Sequence, residues 1–120
     1  GKRPSEKAKP ERFYHGFVLG LMVELREKYV ITSNRESGLG RYDIMLEPLA
    51  EDLDAIIIEF KVRNPLKEET LEDTLATALL QIENRHYEAD LQARGIPKER
   101  IRKYGFAFEG KQVLIEETMQ

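Results

Sequence analysis

Apolar residues recur at helical spacing near the N-terminus and at alternate positions through the middle of the chain. Tyr14, Phe17, Val18, Leu21, Met22 and Leu25 share one face of a repeat of about 3.6 residues, which predicts a helix over 10–28. Gly16 and Gly20, four apart within it, lower helix propensity and predict the close approach of another element. A short β-branched strand is expected at 29–33, then a loop at 34–40 carrying Gly38 and Gly40. Over 41–46 the pattern alternates, with Tyr42, Ile44 and Leu46 on one face and Arg41, Asp43 and Met45 on the other. An acidic turn at 48–54 leads to a third strand at 55–62. There Ile56, Ile58, Phe60 and Val62 oppose Ala55, Ile57, Glu59 and Lys61. Both faces begin apolar, the mark of a central strand covered on two sides.

Asn64-Pro65 places a loop at 63–67. A long helix is expected over 68–94, stopped by Gly95 and Pro97. Its main stripe is Leu71, Leu75, Ala78, Leu79, Ile82 and Ala89; a smaller one, Leu80, Tyr87 and Leu91, lies nearly opposite, so the helix should be sandwiched between two surfaces. Segments 103–108 and 112–116 read as a hairpin turned at Glu109-Gly110-Lys111. Residues 1–10, rich in Lys, Ser and Pro, read as a basic linker ahead of a domain spanning 11–120. The order α-β-β-β-α-β-β describes a single α/β sandwich.

Composition narrows the function classes. A chain of 120 residues has room for one core. With no cysteine there is no disulfide framework, thiolate metal site or cysteine nucleophile, and a reducing, cytoplasmic setting is expected. Apolar runs such as Ala55-Ile56-Ile57-Ile58 fall far short of the ~20 residues of a membrane helix, so no membrane partner is expected. The net charge of −3 argues against a surface coated for bulk nucleic-acid binding, while allowing a local basic patch.

The chemistry concentrates on the third strand, where Glu59 and Lys61 stand on one face of an otherwise apolar segment. Charges on a covered strand are costly unless paired or metal-bound. By alternation Asp43 faces inward on the preceding strand, and an antiparallel pairing brings it to Glu59. Two carboxylates and an ammonium suit a hard divalent cation, with the carboxylates as ligands and the lysine beside a water or phosphate oxygen. The same residues equally fit a buried Glu59–Lys61 ion pair with an unrelated aspartate.

Gly40-Arg41-Tyr42-Asp43, followed by Ile57-Ile58-Glu59-Phe60-Lys61, resembles the PD-(D/E)XK nuclease superfamily. A closer resemblance is to the nuclease-like domain at the C-terminal end of bacterial and archaeal AAA-ATPase-like proteins. It is carried by Phe13-Tyr14-His15-Gly16, by the run from Ser33 to Asp43, by Ala78-Leu79-Leu80-Gln81-Ile82-Glu83 with Tyr87, and by Tyr104-Gly105-Phe106-Ala107-Phe108 with Gly110-Lys111. Together these span about residues 11–115. Tyr42 stands where the superfamily name has proline. The resemblance implies an αβββαβ core with a mixed central sheet, flanking helices and a C-terminal hairpin strand. It also implies an Mg²⁺- or Mn²⁺-dependent phosphodiesterase acting on nucleic acid, DNA above all, with an AAA-type ATPase domain in cis or in trans. Homodimerisation is a further expectation.

The resemblance implies roles as well. Asp43 and Glu59 would ligate the metal with the Phe60 carbonyl, and Lys61 would orient or deprotonate the attacking water and steady charge on phosphate. His15 sits about where related nucleases place a glutamate near the metal; a histidine hydrogen-bonded within the core is the other reading. Gln81 matches the glutamine of the RecB-like branch. Tyr87 follows it by six residues rather than four and reads as packing. Glu11 and Glu36 are weaker metal candidates, better explained as a solvated side chain and a loop cap. Arg41 suits either a phosphate or a carboxylate. Two basic clusters, Lys2, Arg3, Lys7, Lys9 and Arg12 near the N-terminus and Lys98, Arg100, Arg102 and Lys103 after Gly95, are candidate contacts to a DNA backbone. There is no P-loop, so any ATP hydrolysis belongs to another domain. The principal alternative is a nuclease fold kept as a catalytically silent binding or regulatory module of an ATPase.

Overall fold

Period-two alternation commits the middle of the chain to a sheet with one face for each of two helical layers. In a computed structural model, which describes residues 4–34, 40–83 and 86–118, the order is α1 (Pro4–Leu25), β1 (Tyr29–Asn34), β2 (Arg41–Pro48), β3 (Ala55–Val62), α2 (Leu71–Glu83), α3 (Tyr87–Ala93), β4 (Ile101–Glu109) and β5 (Gln112–Glu117). The strands form one sheet in the order β1-β2-β3-β4-β5. Only β3 and β4 run parallel, joined by the crossover through α2 and α3; the other pairs are antiparallel. This is the mixed sheet expected from the sequence.

Even-numbered positions of β2, β3 and β4 build one core. Ile44, Leu46, Ile58, Phe60, Phe106 and Phe108 meet Tyr14 and Val18 of α1. Edge-on ring contacts seat the helix, with Tyr14 5.0 Å and Phe17 5.4 Å from the Phe108 ring. Odd-numbered positions build the second core, where Met45, Ala55, Ile57 and Ile101 meet Ile82 and Leu91 of α2 and α3.

Four expectations change. The backbone of α1 begins at Pro4, so most of the segment read as linker is helical, with proline at a position that suits a helix start. Gly16 and Gly20 face open space, with nothing within 4 Å of a Cβ built at either; the close approach occurs instead at Gly105, where a Cβ would lie 2.9 Å from Leu79 Cδ2. The long helix is two. It opens on a reciprocal cap, Thr70 N–H to Asp73 Oδ2 at 3.2 Å and Asp73 N–H to Thr70 Oγ1 at 3.1 Å. α2 ends at Glu83 and α3 begins at Tyr87, and His86, with φ of −94° and ψ of 13°, departs from the helix. The break explains the two stripes. Leu91 turns onto the sheet and is buried while Ala89 becomes exposed, and Leu80 is left in solvent. The fourth change is at the hairpin, whose first strand starts at Ile101, ahead of the expected Lys103.

Candidate active site

The antiparallel register of β2 and β3 sets Asp43 opposite Glu59 and Arg41 opposite Lys61. The Val62 N–H donates to the Gly40 carbonyl at 2.7 Å. Hydrogen-bonded and open pairs alternate along such a ladder, so Asp43/Glu59 and Arg41/Lys61 occupy the open pairs, where facing side chains stand closest. All four are odd-numbered and therefore lie on the α2–α3 face. Asp43 and Glu59 are at most 1% exposed and Lys61 is 7% exposed. The Phe60 side chain turns into the opposite core, leaving only its backbone carbonyl between Glu59 and Lys61.

Each polar group in this row has a defined neighbour. The Arg41 guanidinium Nε lies 3.9 Å from Glu59 Oε2, an ion pair with one of the two kinds of partner expected for it. The Tyr87 hydroxyl donates to Asp43 Oδ1. Tyr87 thus contacts Asp43 rather than serving only as packing, since it stands on α3, a separate helix from the α2 that carries Gln81. Lys61 does not pair with Glu59. Its ammonium donates to Glu68 Oε1 at 3.0 Å, and that oxygen also accepts from the Asn64 N–H at 2.9 Å and the Thr74 hydroxyl at 3.3 Å. Burial alone pushes the Glu68 carboxyl up, but the Asn64 amide, the hydrogen bond and charge of Lys61 and the Thr74 hydroxyl together hold it below the ordinary glutamate value.

Glu68 is hidden in the sequence because it reads as the first residue of the 68–94 helix, whereas α2 begins at Leu71 and Glu68 lies in the loop before it. The Asn64-Pro65 loop was the available signal. The Glu68 and Lys67 amides donate back to the Asn64 carbonyl at 2.8 and 2.9 Å, and this tight turn returns the chain toward Lys61.

Gln81 lies on the sheet-facing side of α2, three residues beyond Ala78 and seven beyond Thr74, both fully buried. Its Oε1 is buried with no hydrogen-bond partner among the described residues. His15 is not brought to the carboxylates. It is exposed on α1, against the opposite face of the sheet, with its ring 5.0 Å from that of Tyr14. Glu36 and the side chain of Glu11 lie outside the described residues, as do the side chains of Lys7, Lys9 and Arg12 and all of Lys2 and Arg3.

The second basic cluster is mostly spent within the fold. Lys103 is 3% exposed and donates to Glu88 at 2.9 Å and Glu83 at 3.4 Å. Arg100 pairs with Asp54 at 3.3 Å, and Arg102 makes a two-pronged contact with Glu117 at 2.9 and 3.1 Å. Lys98 is exposed.

A family model described as the PD-(D/E)XK nuclease superfamily matches residues 9–118, and the chain belongs to that superfamily. No curated protein and no solved structure matches it. Membership implies nuclease hydrolase activity, and nucleases of this superfamily typically use divalent metal ions. No helix among the described residues is long and apolar enough to cross a membrane.

The donor chemistry fits such an ion. Asp43 and Glu59 offer hard carboxylate oxygens side by side across the ladder, and the chain has no cysteine. Among the described residues no group of three or more His, Cys, Asp or Glu could hold a metal. Two carboxylates, with water and substrate phosphate completing the shell, is the usual protein complement for Mg²⁺.

Proposed function

We propose that this domain is a metal-dependent phosphodiesterase that hydrolyses nucleic acid, with DNA as the preferred substrate. The observation that carries this reading is the direct opposition of Asp43 and Glu59 across β2 and β3, with Lys61 on the same face, in a chain of this superfamily. Asp43, Glu59 and the Phe60 carbonyl would hold Mg²⁺ or Mn²⁺, which supplies Lewis acidity toward the phosphate when bound. Lys61 keeps two ammonium hydrogens beyond the one given to Glu68, and these are available to a water or to a phosphate oxygen as charge builds. Gln81 brings an amide oxygen to the same helix–sheet interface. The setting proposed is cytoplasmic, beside an AAA-type ATPase domain in cis or in trans, with self-association left to a sedimentation measurement.

A second reading has its own support. Asp43 and Glu59 are almost completely buried beneath α2 and α3, which suits a nuclease fold retained as a binding module without turnover.

Cleavage of end-labelled single- and double-stranded DNA and of RNA, with Mg²⁺, with Mn²⁺ and with EDTA, decides between them. Metal-dependent cutting that is lost in Asp43→Asn supports the enzyme. Binding of nucleic acid without cutting by wild type supports the module. Loss of stability in a Lys61 variant does not discriminate, because truncating Lys61 leaves Glu68 buried without its cation under either reading.

A further inference from the structure

Lysine on a β-strand has four flexible side-chain torsions, and an ammonium that stabilises a transition state must be held in place beforehand. Nothing on β3 does this for Lys61. Its own strand neighbour on that face, Glu59, faces Asp43 in the ladder, and the ammonium instead reaches Glu68, seven residues later.

Glu68 is itself held tightly. One carboxylate oxygen collects the Asn64 amide, the Thr74 hydroxyl and the Lys61 ammonium. Glu68 is 6% exposed and Thr74 fully buried, so water competes little for either. The loop that carries Glu68 is anchored on both sides. The Arg63 guanidinium donates to the Glu69 carbonyl at 2.9 Å, and the Thr70–Asp73 cap starts α2 immediately afterwards. A loop that served only to cross from strand to helix would have no need of a buried carboxylate on the strand's lysine.

We propose that Glu68 is the positioning residue of the site: it fixes the Lys61 ammonium on the sheet face that also carries Asp43 and Glu59, spending one of three hydrogens and leaving two for the substrate. The proposal rests on the nuclease reading and names a residue through which that site works. Glu68 touches Lys61 and acts through it; it has no contact with the reacting atoms.

The test is a kinetic double-mutant cycle of wild type, Glu68→Gln, Lys61→Ala and the double variant, cutting a labelled DNA at saturating Mn²⁺, with Mn²⁺ affinity measured by calorimetry. Gln keeps an acceptor for Asn64 and Thr74 and loses the charge. Glu68→Gln is expected to lower kcat by about 10–100-fold, with KM and Mn²⁺ affinity unchanged. In the Lys61→Ala background it should cost nothing further, since the group it positions is gone. Undiminished kcat in Glu68→Gln, or a loss that multiplies that of Lys61→Ala, overturns the positioning role alone. A wild type that cuts no nucleic acid overturns the nuclease reading and this proposal with it. Should Glu68→Gln melt below the assay temperature, Thr74→Val decides: it keeps the carboxylate and removes one of its anchors. A several-fold fall in kcat then supports the proposal, and a wild-type rate overturns it.

Discussion

The Tyr87 hydroxyl donates a hydrogen bond to Oδ1 of Asp43, joining α3 to a strand 44 residues earlier in the chain. Tyr87→Phe keeps the ring and removes that donor. A hydrogen bond to a buried charged group contributes about 1.5–3 kcal/mol, so the variant is expected to melt lower than wild type. Cleavage should also fall, because Asp43 loses a group that orients it. A variant with wild-type melting and wild-type cleavage would return Tyr87 to the status of packing.

Asp43 is the test of the metal site. Asp43→Asn retains the shape and still accepts from Tyr87, so the fold should survive. Mn²⁺ affinity measured by calorimetry should fall at least about tenfold, given that even outer partners of a metal site are worth that much. Unaltered affinity removes Asp43 from the ligand set. Stripping divalent ions with EDTA should leave the melting temperature of wild type unchanged or lower it. A marked rise would contradict a site in which two opposed carboxylates share a cation.

Gly105 lies beside Glu59 in the parallel β3–β4 register, and α2 passes directly over it. A Cβ there would stand 2.9 Å from Leu79 Cδ2 and 3.3 Å from Leu75 Cδ1. Gly105→Val is expected to cost about 1–3 kcal/mol by overpacking, read as a lower midpoint in urea. Gly16 and Gly20 make the contrast. A methyl group meets nothing within 4 Å at either, so Gly→Ala at each should stabilise α1 by roughly 0.5–1 kcal/mol. Destabilisation by those alanines would mean that the outer face of α1 is occupied.

Acid stability should report Glu68. Its carboxyl is held below the ordinary value of 4.5 in the folded protein, so the unfolded chain takes up the proton first. The contribution is therefore complete above that ordinary value and is lost as pH falls through the depressed folded one. Wild type should lose more stability than Glu68→Gln between neutral pH and pH ~3. Parallel melting curves across that range would show that Glu68 titrates alike in both states.

Period-two alternation by itself makes Asp43, Glu59 and Lys61 visible as one inward face. The same alternation, with the glycine and proline punctuation, conveyed the order of strands and helices. Such features are local: a strand reports its own two faces, and a helix reports its own stripe. Periodicity could not show that the 68–94 segment breaks, since the two apolar stripes were each helical in phase, and so it misassigned Ala89 and Tyr87. Nor could it place His15, because the apolar stripe of a helix does not say which side of the sheet the helix covers. Side-chain partnership was decided by the tertiary fold alone. Lys61 is expected beside Glu59 or a substrate, yet the Asn64-Pro65 turn delivers Glu68 to it, and α3 delivers Tyr87 to Asp43. Buried charge selects whichever counterpart the folded backbone brings within hydrogen-bonding distance. That distance depends on loop closure and helix breaks, which the alternation of apolar and polar residues does not encode.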